Sequence, residues 1–347
     1  MADAAVPSLG EGGTPVIQSM RIGLSLGLSR LFFKLENCNP SGSYKDRFSA
    51  AQMGCILRTG ARSCLATSSG NTGSSFAAFC ARYKLKCTIV VGQSIPQGKL
   101  VQMQAYGAQL LRVADFDTSP DVGRTVTATL TKFAAEHTIP LIVSSYRHCP
   151  EGMRGVETIA AELGRQLEDG IDHVFVPVGS GGLFTAVCRG FLQRQLPLPK
   201  VHAVQPAGCS TIVAAWQRCD DEIRPVVSGT RVTGISVSYN IDGDFALQLL
   251  RQSKGLGLAV SDDEIFDAQR RLLEEEGVYA EPAGAAGLAG LVQAVREGRI
   301  NTSDSVVCIV TGAGFKDPDS IARVAERRPV EWITPANLMG RLSEVTE

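Results

Sequence analysis

The sequence predicts an α/β protein made of two three-layer α/β domains with parallel-rich sheets. Three observations predict it. Continuous apolar runs of strand length, such as HVFVPV (173–178) and SVVCIV (305–310), are each followed by a helical stretch. Strands of that kind are covered by helices on both faces. Glycine makes up 36 of the 347 residues and aromatics only 6%. That glycine share exceeds the usual ~7% and fits many tight strand-to-helix turns. At roughly 150 residues per domain, the length gives about two domains.

The elements follow in order. Residues 31–36 (LFFKLE) read as a strand. Residues 43–59 read as a helix with Ala50, Ala51, Met53, Gly54 and Leu57 on its inner face. Strands are expected at 64–67, 87–91, 109–113 and 141–144, with helices at 72–83, 97–106 and 121–136 between them. The second half repeats the rhythm. Helices are expected at 155–167, 183–194 and 283–296, and strands at 173–178, 200–205 and 305–311. Ser261 and Glu264 form a capping box that opens a helix through Glu275. No repeat, low-complexity tract or flexible linker is visible, so the domains are expected to share chain crossings.

Composition excludes several classes. Apolar residues are 44%, charged residues 20%, and net charge is −1. That is a globular balance, without the basic excess of a nucleic-acid binder. The start, MADAAVPSLGEGGTP, has no basic or apolar leader segment, and no run approaches the ~18 residues of a membrane span. A cytoplasmic protein is expected. Ten cysteines include no CxxC pair, which predicts reduced, buried thiols. Four scattered histidines without HxxxH predict no metal site.

Four segments carry candidate chemistry. Gly179-Ser180-Gly181-Gly182 follows a strand and opens a helix. Its backbone N–H groups and the helix dipole suit a phosphate. It lacks the lysine of a P-loop, and Phe184 breaks the dinucleotide fingerprint G-x-G-x-x-G. A plain structural turn is the other reading. Ser68-Ser69-Gly70-Asn71-Thr72 also joins a strand to a helix and suits an anion such as a carboxylate; the alternative is an ordinary N-cap. Thr311-Gly312-Ala313-Gly314 ends a strand. In Asn39–Arg47 (NPSGSYKDR), Lys45 stands at a helix start, where the dipole repels a cation. A nucleophilic amine is one reading of it and a solvated lysine the other.

The combination resembles the pyridoxal-phosphate enzymes of fold type II, the tryptophan synthase β-subunit group, and within it the threonine synthases. The resemblance runs through EGGTP (11–15), NPSGSYKDR (39–47), SSGNTGSS (68–75) and IPQGKLVQMQAYGAQLLRV (95–113). It continues through VPVGSGGL (176–183), AEPAGAAGLAGL (280–291) and VTGAGFKDP (310–318). It implies a large cofactor-binding domain of residues 1–50 plus 146–347, a small domain of 51–145 inserted in it, and pyridoxal 5′-phosphate in the cleft between them. By the family pattern Lys45 holds the cofactor covalently and serves as the base. Asn71 bonds the ring hydroxyl, Gly179, Ser180, Gly181, Gly182 and Leu183 hold the phosphate, and Thr311 faces the ring nitrogen. Ser68, Ser69, Gly70, Asn71 and Thr72 take the substrate carboxylate, and Ser144 also contacts substrate. The resemblance further implies a homodimer acting on a small amino acid, without nucleic-acid or membrane partners.

The pattern is broken in one place. Threonine synthases grip a substrate phosphate with Asn, Ser and Arg ahead of a Glu-Gly pair. Aligned on Glu151-Gly152, those positions read Val143, Ser144 and Cys149. A thiol cannot replace a bidentate guanidinium. Arg147 and Arg154 are the nearby candidates to replace it; the other reading of both is a solvated arginine. Phe48 stands where a glycine is usual and is expected to narrow the pocket. The leading expectation is a lyase or synthase of threonine-synthase type, eliminating or replacing at Cβ or Cγ. One alternative is β-elimination or β-replacement on serine, threonine or an activated serine, as in dehydratases and cysteine synthases. Another is a cofactor-binding protein without turnover.

Overall fold

The computed structural model describes residues 7–344 other than 69, 117, 118, 240 and 329. Ten strands form two sheets: β1 (Val16–Gln18), β2 (Leu31–Leu35), β3 (Ser63–Thr67), β4 (Lys86–Val91), β5 (Gln109–Arg112), β6 (Leu141–Ile142), β7 (His173–Pro177), β8 (Lys200–Pro206), β9 (Gly257–Val260) and β10 (Val306–Val310). The six-stranded sheet runs β1-β2-β10-β7-β8-β9 and the four-stranded sheet β5-β4-β3-β6. All neighbours are parallel except β1, which pairs antiparallel with β2. Every residue of β7 and β10 is buried. Helices cover both faces, which is why these strands are apolar throughout and do not alternate.

Most expected elements are present, and the differences have local causes. The helix expected over 155–167 is two helices, Pro150–Val156 and Thr158–Gln166. At the junction the Thr158 hydroxyl donates to the Gly155 carbonyl at 2.6 Å and competes with the backbone ladder. In the Lys45–Thr59 helix, Leu57 is 38% exposed and Ala51 and Gly54 are only half-buried, while Phe48 and Ile56 join Ala50 and Met53 in the core. Ser261 and Glu264 make the expected reciprocal caps, at 3.2 and 2.8 Å. Strands β1 and β9 and the helices Thr211–Gln217 and Gly243–Gln252 were not expected.

All ten cysteines are free thiols. Seven are buried, Cys55 is half-buried, and Cys38 and Cys219 are exposed. Cys64, Cys80 and Cys87 bring their sulfurs within 4.8 Å of one another in the core. Among the described residues no helix is long and apolar enough to cross a membrane.

Candidate active site

Parallel sheets place ligands beyond the carboxyl ends of their strands. Here β3, β7 and β10 run toward one cavity of about 590 Å3 lined by both sheets' turns. Its walls include Lys45, Ser68, Asn71, Thr72, Ser144, Gly179–Leu183, Glu281 and Thr311. Segments far apart in sequence thus share one hollow, large enough for a cofactor and a small substrate. Ser69 lies outside the described residues.

Lys45 is the first residue of its helix. Its Nζ donates to Ser144 Oγ at 2.8 Å and sits 4.6 Å from the Tyr44 ring centroid. Ser144, expected at the substrate, is in contact with the Lys45 amine. Ser68 staples its own turn: Oγ accepts the N–H groups of Gly70 at 3.0 Å and Gly73 at 2.7 Å. Ser68 thus holds the first N–H groups of the helix without being its N-cap, which is Gly70. Gly70 has φ +150°, and a Cβ there would lie 2.4 Å from Lys99 Cδ, so only glycine fits.

The turn after β7 is shaped the same way. Gly181 has φ +97°, and a Cβ on it would strike the Asp242 carbonyl oxygen at 2.8 Å. The Gly182–Gln193 helix starts there. Its first N–H groups have no intrahelical acceptor and are a ready anion site. Asp242 braces the turn from behind. Its N–H donates to the Ser180 carbonyl at 3.0 Å, and its carboxylate accepts Tyr146 N–H at 2.8 Å and Arg147 N–H at 3.3 Å. Burial pushes the Asp242 carboxyl above its ordinary range, against the pull of those N–H groups.

Thr311 is buried at the end of β10. Asn71 donates from Nδ2 to Glu281 Oε1 at 2.5 Å. Its Oδ1 is buried and without a partner. Asp242, Glu281 and Lys99 carry no local signal that singles them out in the sequence. Glu281 and Lys99 lie within matched motifs but look like ordinary helix-start and surface charges until folded.

One expectation is corrected, and for two arginines the solvated reading holds. Phe48 does not line the cavity; it is fully buried against Gly152, whose Cβ would be 2.5 Å from the ring. Arg147 turns away, bonding the Ile241 carbonyl at 2.7 Å and pairing with Asp244. Arg154 pairs with Glu151 at 3.0 Å on the surface. Neither arginine replaces the one missing at Cys149.

The donor set suits a phosphorylated aromatic aldehyde. It offers one amine, a ring of N–H groups beyond a Gly turn, an orphaned amide oxygen and a buried hydroxyl. Similarity to known proteins agrees. The family model described as "Pyridoxal-phosphate dependent enzyme" matches residues 7–312. A threonine synthase of Methanocaldococcus jannaschii is 33% identical over 98% of this chain and 84% of its own. One from Bacillus sp. (strain ULM1) is 35% identical over 90% and 85%. Among solved structures, a pyridoxal 5′-phosphate-dependent aspartate racemase superposes with a TM-score of 0.74 at 25% identity, over 86% of this chain and 90% of that one. A threonine deaminase of Solanum lycopersicum gives 0.75 at 23% identity over 91% and 88%, a likeness of fold. The convergence of Lys45, the Gly179–Leu183 turn and Thr311 on one cavity therefore has its explanation in descent: the chain belongs to the pyridoxal-phosphate dependent enzymes of fold type II and takes pyridoxal 5′-phosphate as its cofactor.

Proposed function

We propose that this enzyme carries out elimination or replacement at Cβ or Cγ of a small amino acid, with chemistry of the threonine-synthase type. The observation that carries the reading is the meeting of Lys45, Asn71, the Gly179–Leu183 turn and Thr311 around one cavity. When bound, the cofactor supplies an electron sink for the substrate's Cα. The chain supplies the rest. Lys45 Nζ would anchor the cofactor, and as a free amine it would be the base for the substrate's Cα proton. Ser144, on that amine at 2.8 Å, orients it and receives or returns a proton at Oγ. Gly179, Ser180, Gly181, Gly182 and Leu183 would hold the phosphate with backbone N–H groups, and Asn71 would face the ring hydroxyl. Ser68, Ser69, Gly70, Asn71 and Thr72 hold the substrate carboxylate. Thr311 would offer the ring nitrogen a hydroxyl, which need not protonate it. That favours expelling a leaving group over storing a carbanion.

A second reading concerns the leaving group. Among the described lining residues there is no arginine, and the wall at 143–149 offers Val143, Ser144 and His148. A doubly charged phosphate would find no guanidinium there. This favours β-elimination or β-replacement on serine, threonine or an activated serine. The near-neutral composition supports a small-molecule partner in the cytoplasm, and the family resemblance supports a homodimer. The two-sheet topology supports treating 51–145 as a small domain inserted into a large one, 1–50 plus 146–347.

The test has two arms. Borohydride treatment of the yellow holoenzyme should bleach it and fix the cofactor mass on the peptide carrying Lys45. The same preparation is then given O-phosphohomoserine, and separately L-serine and L-threonine. Phosphate release with threonine formation supports the first reading; keto-acid formation supports the second. Cofactor fixed on Lys45 with no turnover of any amino acid would identify a non-catalytic binder.

A further inference from the structure

The helices Asn71–Tyr83 and Gln97–Ala105 follow strands of the four-stranded sheet, whereas Glu281 and Gly312 belong to the six-stranded side. Where the two sides meet, Lys99 Nζ lies 3.0 Å from Glu281 Oε2, and both side chains are 1% exposed. The other carboxylate oxygen takes the Asn71 amide N–H at 2.5 Å. The Glu281 backbone N–H donates to the Gly312 carbonyl at 3.0 Å, next to Thr311. Two glycines make room for the pair. A Cβ on Gly312 would lie 2.2 Å from Glu281 Oε1, and one on Gly70 would lie 2.4 Å from Lys99 Cδ.

A carboxylate held in an ion pair only accepts hydrogen bonds. It therefore fixes the Asn71 amide: Nδ2 faces Glu281, and Oδ1 faces elsewhere. Oδ1 is the buried atom left without a partner. A glutamate buried alone would be strongly destabilising, and the Lys99 ammonium offsets that. Neither group needs to touch the reacting atoms to control what Asn71 presents.

We propose that Lys99 and Glu281 are positioning residues: their buried ion pair sets which end of the Asn71 amide meets the cofactor and ties the two sheets together at that point. This rests on Asn71 facing the cofactor ring, as proposed above. Glutamine at 281 is isosteric but can donate as well as accept, so it no longer dictates the amide's orientation.

The experiment compares four holoenzymes in the absence of substrate: wild type, Glu281→Gln, Asn71→Ala, and the double variant Lys99→Met/Glu281→Gln. The readouts are the visible absorbance maximum of the bound cofactor, its cofactor dissociation constant and the thermal midpoint. Glu281→Gln should shift the maximum in the same sense as Asn71→Ala and weaken cofactor binding about tenfold or more. The double variant removes both charges, so its thermal midpoint should recover toward wild type while the spectral shift persists. A purely structural pair predicts recovery of both, and that result overturns the proposal. If Glu281→Gln is insoluble, the double variant alone separates these outcomes through its spectrum. A wild-type spectrum in the charge variants with a shifted one in Asn71→Ala defeats the inference and leaves the Asn71 placement standing. An unshifted Asn71→Ala defeats the placement itself.

Discussion

Lys45 and Arg47 leave the same helix two residues apart and enter opposite kinds of surroundings. Arg47 enters a closed network. It bonds Glu36 at 2.7 and 2.8 Å, Glu162 at 2.6 and 2.7 Å, and the hydroxyls of Thr158 and Thr14 at 2.9 and 3.2 Å. Lys34 adds a second cation on Glu162 at 2.7 Å. Two cations and two carboxylates are thereby paired out of water. Lys45 has one hydroxyl partner and faces a cavity in which Asn71 Oδ1 waits unpaired. Buried polar groups are nearly always satisfied. The open cluster is thus arranged to receive a bound group, and the closed one to hold the backbone in place.

The largest break in this comparison is Lys45→Ala. It should lower steady-state turnover by about a thousandfold or more while changing folding stability by no more than about 1 kcal/mol. Denaturant melts and amino-acid assays on the same preparation check both halves; a large loss of stability would move Lys45 to the structural side. Next is Arg47→Met, which strands the buried Glu36 carboxylate and leaves Lys34 to pair Glu162. It should cost about 3–5 kcal/mol in urea unfolding. A smaller loss would mean that the closed network is dispensable.

Acid should discriminate further. Burial raises the Glu162 carboxyl, but Arg47 and Lys34 outweigh it and hold the group at about 2, below its ordinary 4.5. Burial pulls the Lys34 amine down as well. The acid window is nevertheless set by Glu162, which collects the charged donors. Its contribution is complete above pH 4.5 and is lost as pH falls through 2, on the order of 3 kcal/mol. In Glu162→Gln, stability measured across that window should flatten.

The smallest effect concerns a second closed chain. His202 Nδ1 accepts Leu256 N–H at 2.9 Å, His202 Nε2 meets His173 Nδ1 at 2.8 Å, and His173 Nε2 meets Asp304 at 3.0 Å. Burial pushes His202 down to about 3, so it stays neutral in the fold while an unfolded histidine protonates below 6.5. Stability should therefore fall by roughly 1–2 kcal/mol between pH 6.5 and 5, before Glu162 titrates. A pH-independent melting midpoint over that range would contradict it.

Much of the fold is legible because β7 and β10 are continuous, largely apolar runs and one helix opens on the capping box of Ser261 and Glu264. Lys45 could be singled out because Pro40 and Gly42 precede it and a cation is out of place at a helix start. The rest depends on pairing across the fold. β1 is three residues long and exists only because β2 lies beside it. The EGGTP motif matches by resemblance alone, yet its Gly12 and Gly13 donate to Asn39 and Glu162 and its Thr14 to Glu36, a clasp around Arg47. Lys99 and Glu281 look solvated in the sequence because nothing local shows that each supplies the other's counter-charge.

Crowding at the glycines also decides how this enzyme can diversify. Gly70, Gly181 and Gly312 have no room for even a methyl group, so the cofactor-facing wall resists single-codon change. At 143–148, Val143 and His148 line the cavity with side chains and not with crowded glycines. A mutagenesis library at Val143 and His148 should therefore keep most members coloured and folded while altering which amino acid they consume. Drift in substrate preference is channelled through that short stretch, and the vitamin-binding half is inherited unchanged.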